Sequence, residues 1–300
     1  MARRVRIDDT FTYLVPSEDA RRSFLGCSGL VVRAETTCVI DGNLGPVETR
    51  PMLEDVRPDI CVVSHFHVDH SRWAHEAAEV SGVTLFVPRA EWRYLADVEH
   101  FVERCGLPDE ALARQWMDWL TQYAGLRPVP DAESLGPGET IDLGDVRIEV
   151  VAAPGHSPGH QAFWEAESRL LFCVDIGVDR FGPWYGWKDA RLDDYAGSIR
   201  KLTGLGAEIL VTSHGGIVRG RSDARASLEG CLDRIREREA RVRDLLDAGL
   251  GVERIARRGT IYGNHKRFPA PLDRMYLLWE ENMIAEHARI LEMGGIDAVG

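Results

Sequence analysis

The sequence predicts an α/β fold with a helical C-terminal extension, and three observations predict it. Short apolar runs bounded by Gly, Pro and Asp recur between Phe24 and Gly216, as buried strands do, and helical spacings separate many of them. Four of these runs end in histidine or aspartate, so the strand ends carry the chemistry. From Ser222 onward the strand signal stops and Arg/Glu-rich helical spacing takes over. The expected units are residues 1–220, holding the strands and the candidate site, and 221–300, the helical extension.

In order, Leu30-Val31-Val32 and Cys38-Val39-Ile40 are the first expected strands, and Asp41-Gly42-Asn43 turns the chain at their exit. Asp41 is read either as a plain turn residue or as a group orienting a neighbouring ligand. Ile60-Cys61-Val62-Val63 is a further strand, followed by a helix over Ser71–Val80 and a strand over Val83–Val87 that Pro88 closes. Helices over Glu91–Arg104 and Pro108–Tyr123 come next, the second bearing Trp116 and Trp119, which could roof a pocket. Thr140–Leu143 and Val146–Val151 read as an antiparallel pair after Gly136-Pro137-Gly138. Leu170–Val174, a helix over Leu192–Leu205 and the strand Glu208–Thr212 complete the first unit. In the second, a helix capped by Ser222 and stopped at Gly249, a short helix over Val252–Ala256, a loop through Ile261–Pro271 and a helix over Leu272–Met293 are expected.

Ser64-His65-Phe66-His67-Val68-Asp69-His70 concentrates three imidazoles and a carboxylate at one strand end. Desolvating four polar groups together is costly unless something binds them. Alternation lets His65 and His67 face one metal ion, while Asp69 and His70, as the chain turns, face a neighbouring one. Later, Ala153-Pro154-Gly155-His156 forms a rigid loop able to present His156 to a metal. His160 is expected to pack or hydrogen-bond instead. Asp175 and His214 end two further strands.

Composition narrows the partners. The net charge of −12 disfavours nucleic acid and anionic membranes, and no run of about 18 apolar residues offers a membrane span. The N-terminus lacks the apolar stretch of a secretory signal, and six scattered cysteines without a Cys-x-x-Cys pair suit reduced thiols; a cytoplasmic protein is expected. A small-molecule substrate fits best, and a homo-oligomer is allowed.

These motifs resemble the metallo-β-lactamase superfamily: its His-x-His-x-Asp-His loop, later Pro-Gly-His, strand-end Asp and final strand-end His occur here in the same order over about residues 24–216. The resemblance implies a four-layered αββα sandwich with the site at one edge of the paired sheets. It implies that His65, His67 and His156 bind a first metal, Asp69, His70 and His214 a second, and that Asp175 bridges them. Two zinc ions are expected, with iron or manganese as alternatives. A hydroxide bridging two such ions would attack the carbonyl of a small ester, thioester or lactone, with Asp69 orienting it and passing a proton to the leaving group. The set is similar to the glyoxalase II and lactonase branches rather than to true β-lactamases, which place a cysteine where Asp175 stands. A tyrosine that lactonases carry shortly after the bridging aspartate is replaced by Val178, leaving Tyr185 as the remaining substitute.

Trp184, Tyr185 and Trp187 are expected to form an acyl pocket, with Lys188 or Arg180 meeting a substrate anion. The extension, through Arg236, Tyr262 and Glu286 to Leu291, resembles the winged-helix-like tail of a glyoxalase II-related group that includes RNA endonucleases; His287 is expected in its core. Alternatives are a mononuclear iron, persulfide dioxygenase-like oxygenase, a phosphodiesterase or RNA endonuclease, and a non-catalytic binding protein on the same scaffold.

Overall fold

The computed structural model describes residues 2–263 and 268–299. Among them, one sheet holds seven strands in sequence order: β1 (Arg3–Arg6), β2 (Phe11–Val15), β3 (Gly29–Arg33), β4 (Thr37–Ile40), β5 (Ile60–Val62), β6 (Thr84–Pro88) and β7 (Glu133–Leu135). The other holds β8 (Thr140–Asp142), β9 (Arg147–Ala152), β10 (Gln161–Glu165), β11 (Leu170–Phe172), β12 (Ile209–Thr212) and β13 (Gly216–Arg219), again in sequence order across the sheet. Pairing is antiparallel from β1 to β4 and parallel from β4 to β7, and β11 and β12 are parallel.

The two-residue period of a strand decides how the sheets pack. Leu30, Val32, Cys38, Ile40 and Val62 share a buried cluster with Ile148, Val150, Phe163, Phe172 and Val211 of the other sheet. Their neighbours Val31, Val39, Cys61, Val151, Ala162, Leu171 and Leu210 belong to a second cluster, formed with the helices. Strands buried on both faces need helices outside, and the result is the four-layered αββα sandwich.

The helices are α1 (Glu18–Arg22), α2 (Thr49–Val56), α3 (Val68–Ser71), α4 (Ala74–Ala78), α5 (Trp92–Ala96), α6 (Val98–Arg104), α7 (Glu110–Asp118), α8 (Leu192–Leu205), α9 (Arg221–Asp247), α10 (Val252–Ala256) and α11 (Leu272–Glu292). Leu228, Cys231 and Ile235 of α9 and Met275, Met283 and Ile290 of α11 join the same core as Ile199 and Leu202 of α8. None of the described helices is long and apolar enough to cross a membrane. All six cysteines are buried and unpaired.

Several elements differ from expectation for local reasons. The helix expected over Ser71–Val80 is split into α3 and α4, and α3 starts earlier, at Val68, because His67 has extended backbone angles at its N-cap and the ligand motif itself turns helical. The helix over Glu91–Arg104 breaks at Asp97, whose carboxylate accepts the Glu99 and His100 amides and so starts α6 afresh. Residues Trp119–Tyr123 widen into a π-helical turn after α7. Gly220, not Ser222, caps α9; the Ser222 hydroxyl meets Asp223 instead. Residues 264–267 of the loop expected over Ile261–Pro271 lie outside the described residues. The strand β1 escapes pattern reading because it is an Arg-rich edge, with most of its side chains in water.

Candidate metal centre

The chain leaves β5 through Val63 and Ser64 and delivers His65 and His67, while the loop after β9 delivers His156. His65 Nε2 lies 3.0 Å from His67 Nδ1 and 3.2 Å from His156 Nε2. Two ligand atoms about 2.1 Å from one zinc ion at the tetrahedral angle are about 3.4 Å apart, so the three nitrogens sit at the spacing a shared cation requires. Two of the three rings are held at their other nitrogen: His156 Nδ1–H donates to Trp184 O at 2.7 Å, and His65 Nδ1 lies 3.0 Å from Ser64 Oγ.

A second group lies beside the first. Asp69 and His70 sit on the first turn of α3, Asp175 follows β11 and His214 follows β12. His214 Nε2 is 3.3 Å from Asp69 Oδ2 and 3.3 Å from Asp175 Oδ2, and His70 Nε2 is 3.3 Å from Asp175 Oδ1. Asp175 Oδ2 is also 3.6 Å from His156 Nε2, so this carboxylate reaches both groups. His67 Nε2, His70 Nε2 and Asp175 Oδ1 are buried without a hydrogen-bond partner. Nitrogen and carboxylate atoms left bare at ligand spacing fit a pair of divalent cations.

Supporting residues fix this geometry. Asp41 is fully buried; its Oδ2 lies 2.9 Å from His70 Nδ1 and its Oδ1 accepts the Ser64 amide at 2.9 Å, which decides for the orienting role. His160 donates from Nδ1 to Ala153 O at 2.9 Å and accepts the Asp175 amide at Nε2, 3.2 Å away, so both of its ring nitrogens are taken and it holds the backbone of a candidate ligand. Val174 takes φ 56°, a strained value for a β-branched residue, immediately before Asp175. Gly155 has φ 123° and its missing Cβ would fall 2.3 Å from the Tyr195 backbone, which lets the His156 loop lie against α8. Sequence reading missed Glu91. This buried carboxylate accepts the Phe66 amide at 2.8 Å with one oxygen and Ser157 Oγ–H and the Gly159 amide at 2.6 and 2.7 Å with the other, joining the two histidine loops.

The electrostatics divide the groups. Burial, then neighbouring imidazoles, push His65 and His67 well below the usual histidine range, so both are neutral lone-pair donors. Burial also lowers His156. At His214 burial acts downward but Asp175 and Asp69 outweigh it and lift the ring to about 10. Burial acts downward at His70 too, and Cys27, Asp175, Asp69 and Asp41 outweigh it. The Asp175 carboxyl, despite burial, is held well below the usual range by His214 and His70. A cation at the second group would therefore replace protons.

A cavity of about 420 Å³ opens over the centre, lined by His67, Asp69, His156, Asp175 and His214. Trp184 and Trp187 are on its wall, as expected. Tyr185 is not: it is fully buried and its hydroxyl meets His287 Nε2 at 2.6 Å, in the core position expected for that histidine. Lys188 is exposed and its methylenes lie over Gly106, away from the cavity. Arg180 is exposed as well and is not on the cavity wall; it sits in the turn that Asp179 Oδ1 holds by accepting the Phe181 and Gly182 amides. The wall instead takes Arg21 and Phe24 after β2, Trp116 and Trp119, and Tyr262, Tyr276 and Trp279 from the extension.

A two-sheet sandwich that gathers five histidines and two aspartates in two neighbouring groups under one cavity defines an αββα protein with a centre shaped for metal. The chain belongs to the metallo-β-lactamase superfamily, whose profile matches residues 26–214. It is 29% identical over 165 residues to the human acyl-coenzyme A thioesterase MBLAC2, covering 54% of this chain and 57% of that protein. It is 27% identical over 169 residues to the hydroxyacylglutathione hydrolase GloC of Haemophilus influenzae, covering 54% and 70%. The chain thus spans little more than half the length of the thioesterase it matches. Among solved structures, a beta-lactamase domain protein from Burkholderia ambifaria shares the fold with TM-score 0.70 at 20% identity, over 97% of this chain and 89% of that one.

Proposed function

We propose that the protein is a dinuclear zinc hydrolase of small esters, thioesters or lactones, with residues 1–220 holding the centre and 221–300 closing its cavity. The observation that carries this reading is the reach of Asp175 to His156 on one side and to His70 and His214 on the other. The thioesterase and hydroxyacylglutathione hydrolase relatives favour thioesters within that class. His65, His67 and His156 would hold one ion, Asp69, His70 and His214 the other, and Asp175 both. When bound, such ions acidify a water and polarise a carbonyl. In hydrolysis the water oxygen bonds to the carbonyl carbon and the carbon–sulfur or carbon–oxygen bond breaks. Asp69, partly open to the cavity, would hold the released proton at Oδ2 and return it to the leaving atom. A cytoplasmic location and a small-molecule substrate complete the reading.

The test is a panel of thioesters, lactones, aryl esters and phosphodiesters offered to the zinc-loaded protein. Turnover of thioesters or esters is expected. Activity on phosphodiesters alone, or oxygen consumption with a single bound iron, would overturn the proposal.

A further inference from the structure

The cavity is boxed by aromatic rings from three separate stretches of chain. Trp116 and Trp119 stack with centroids 4.8 Å apart, Trp279 stands edge-on to Trp116 at 6.0 Å and to Trp184 at 5.7 Å, and Trp184 meets the His67 and His156 rings at 5.2 and 5.4 Å. Rings therefore run without a break from the first group of imidazoles outward. Perpendicular faces and edges suit a flat apolar guest through offset and edge-to-face contacts. A quaternary amine is the other guest of aromatic boxes, but it would share this cavity with a guanidinium.

That guanidinium is Arg21, the one Lys or Arg on the cavity wall among the described residues. It is exposed and has no ion pair or side-chain hydrogen bond within them. Its helix leads into the segment ending at Ser28, whose amide donates to Ser213 O at 3.0 Å, next to His214. The cation thus lies toward His214, and the Trp box toward His67 and His156. A substrate carbonyl at the centre would have its two substituents between them.

We propose that the site selects an anionic ester or thioester with a flat, ring-bearing acyl group, the ring held in the Trp box and an anion on the leaving portion met by Arg21. The proposal rests on the hydrolase reading. It assigns to Arg21 the anion-binding role that sequence reading gave to Lys188 or Arg180.

Two inert thioethers test it: 3-(phenethylsulfanyl)propane-1-sulfonate and the matching neutral propan-1-ol, titrated into the zinc-loaded full chain with tryptophan fluorescence as readout. The sulfonate should bind about tenfold more tightly, as a charge-assisted contact at a wet rim allows. That ratio should fall to about one in Arg21→Gln and recover in Arg21→Lys, while Trp279→Ala should weaken both ligands. Equal affinities in the wild type, or a preference that survives in Arg21→Gln, would overturn the proposal. Each ratio is measured within one variant, so an overall loss of stability does not mimic the effect. An Arg21-dependent preference in a protein that hydrolyses no ester or thioester would sustain the recognition and refute the hydrolase reading alone.

Discussion

His70 Nδ1 lies 2.9 Å from Asp41 Oδ2 in a fully buried contact, and the second Asp41 oxygen accepts the Ser64 amide. One carboxylate at the end of β4 therefore aims a candidate ligand ring and pins the strand end that leads into the ligand motif. Asp41→Asn keeps the shape but turns an amide NH₂ toward one of these partners. Affinity for the second zinc ion should drop about 10–100-fold, the usual cost of losing an outer partner of a ligand histidine. Chelator competition measures it, and an unchanged second dissociation constant would refute the orienting role.

Glu91 holds the loops of His65/His67 and His156 together through three donors. In Glu91→Gln an NH₂ must face either the Phe66 amide or the Ser157 and Gly159 donors. A loss of about 1–3 kcal/mol in denaturant unfolding is expected, with weaker binding of the first zinc. Wild-type stability in this variant would mean that the three bonds are dispensable.

Removing the shared carboxylate is the sharper change. Asp175→Ala should leave the protein with about one zinc ion per chain and lower ester turnover by about 100-fold or more, since several kcal/mol of charge stabilisation go with the second ion. Two tightly held ions and full activity would sink the bridging assignment.

The Tyr185–His287 contact carries a pH prediction away from the centre. Burial depresses His287 to about 3, whereas the unfolded chain protonates this ring near its ordinary value of 6.5. The unfolded state then binds the extra proton between these limits. Stability is accordingly full above about pH 6.5 and is lost as the pH falls, by at most about 1.4 kcal/mol per pH unit for one proton. Denaturation curves between pH 7 and 4.5 should be flatter in His287→Asn than in the wild type; parallel curves would contradict the buried neutral ring.

The ligand motif could be recognised in the sequence because it asks for something that packing does not: bare polar groups at one strand end. Asp41 and Glu91 were harder, since a single acidic residue in a turn or at a helix start looks like many others until its partners are known. Side-chain direction in the Trp184–Lys188 loop was not written locally either. It depends on Gly186, where a Cβ would come within 2.8 Å of Trp184 and of Trp279, a residue nearly a hundred positions away. Trp116 and Trp119 read as core or possible roof, and Tyr276 and Trp279 of α11 give no site signal at all, because a helix face that lines a cavity has the same spacing as one that fills it. Arg21 gave no signal beyond that of an ordinary helix-end arginine.

The most direct measurement is the zinc-to-protein ratio after equilibration with excess zinc and removal of what is loosely held, by elemental analysis. Two zinc ions per chain are expected, falling to about one in Asp175→Ala. A ratio of one or less in the wild type, or a single retained iron, would contradict a centre built around a shared carboxylate.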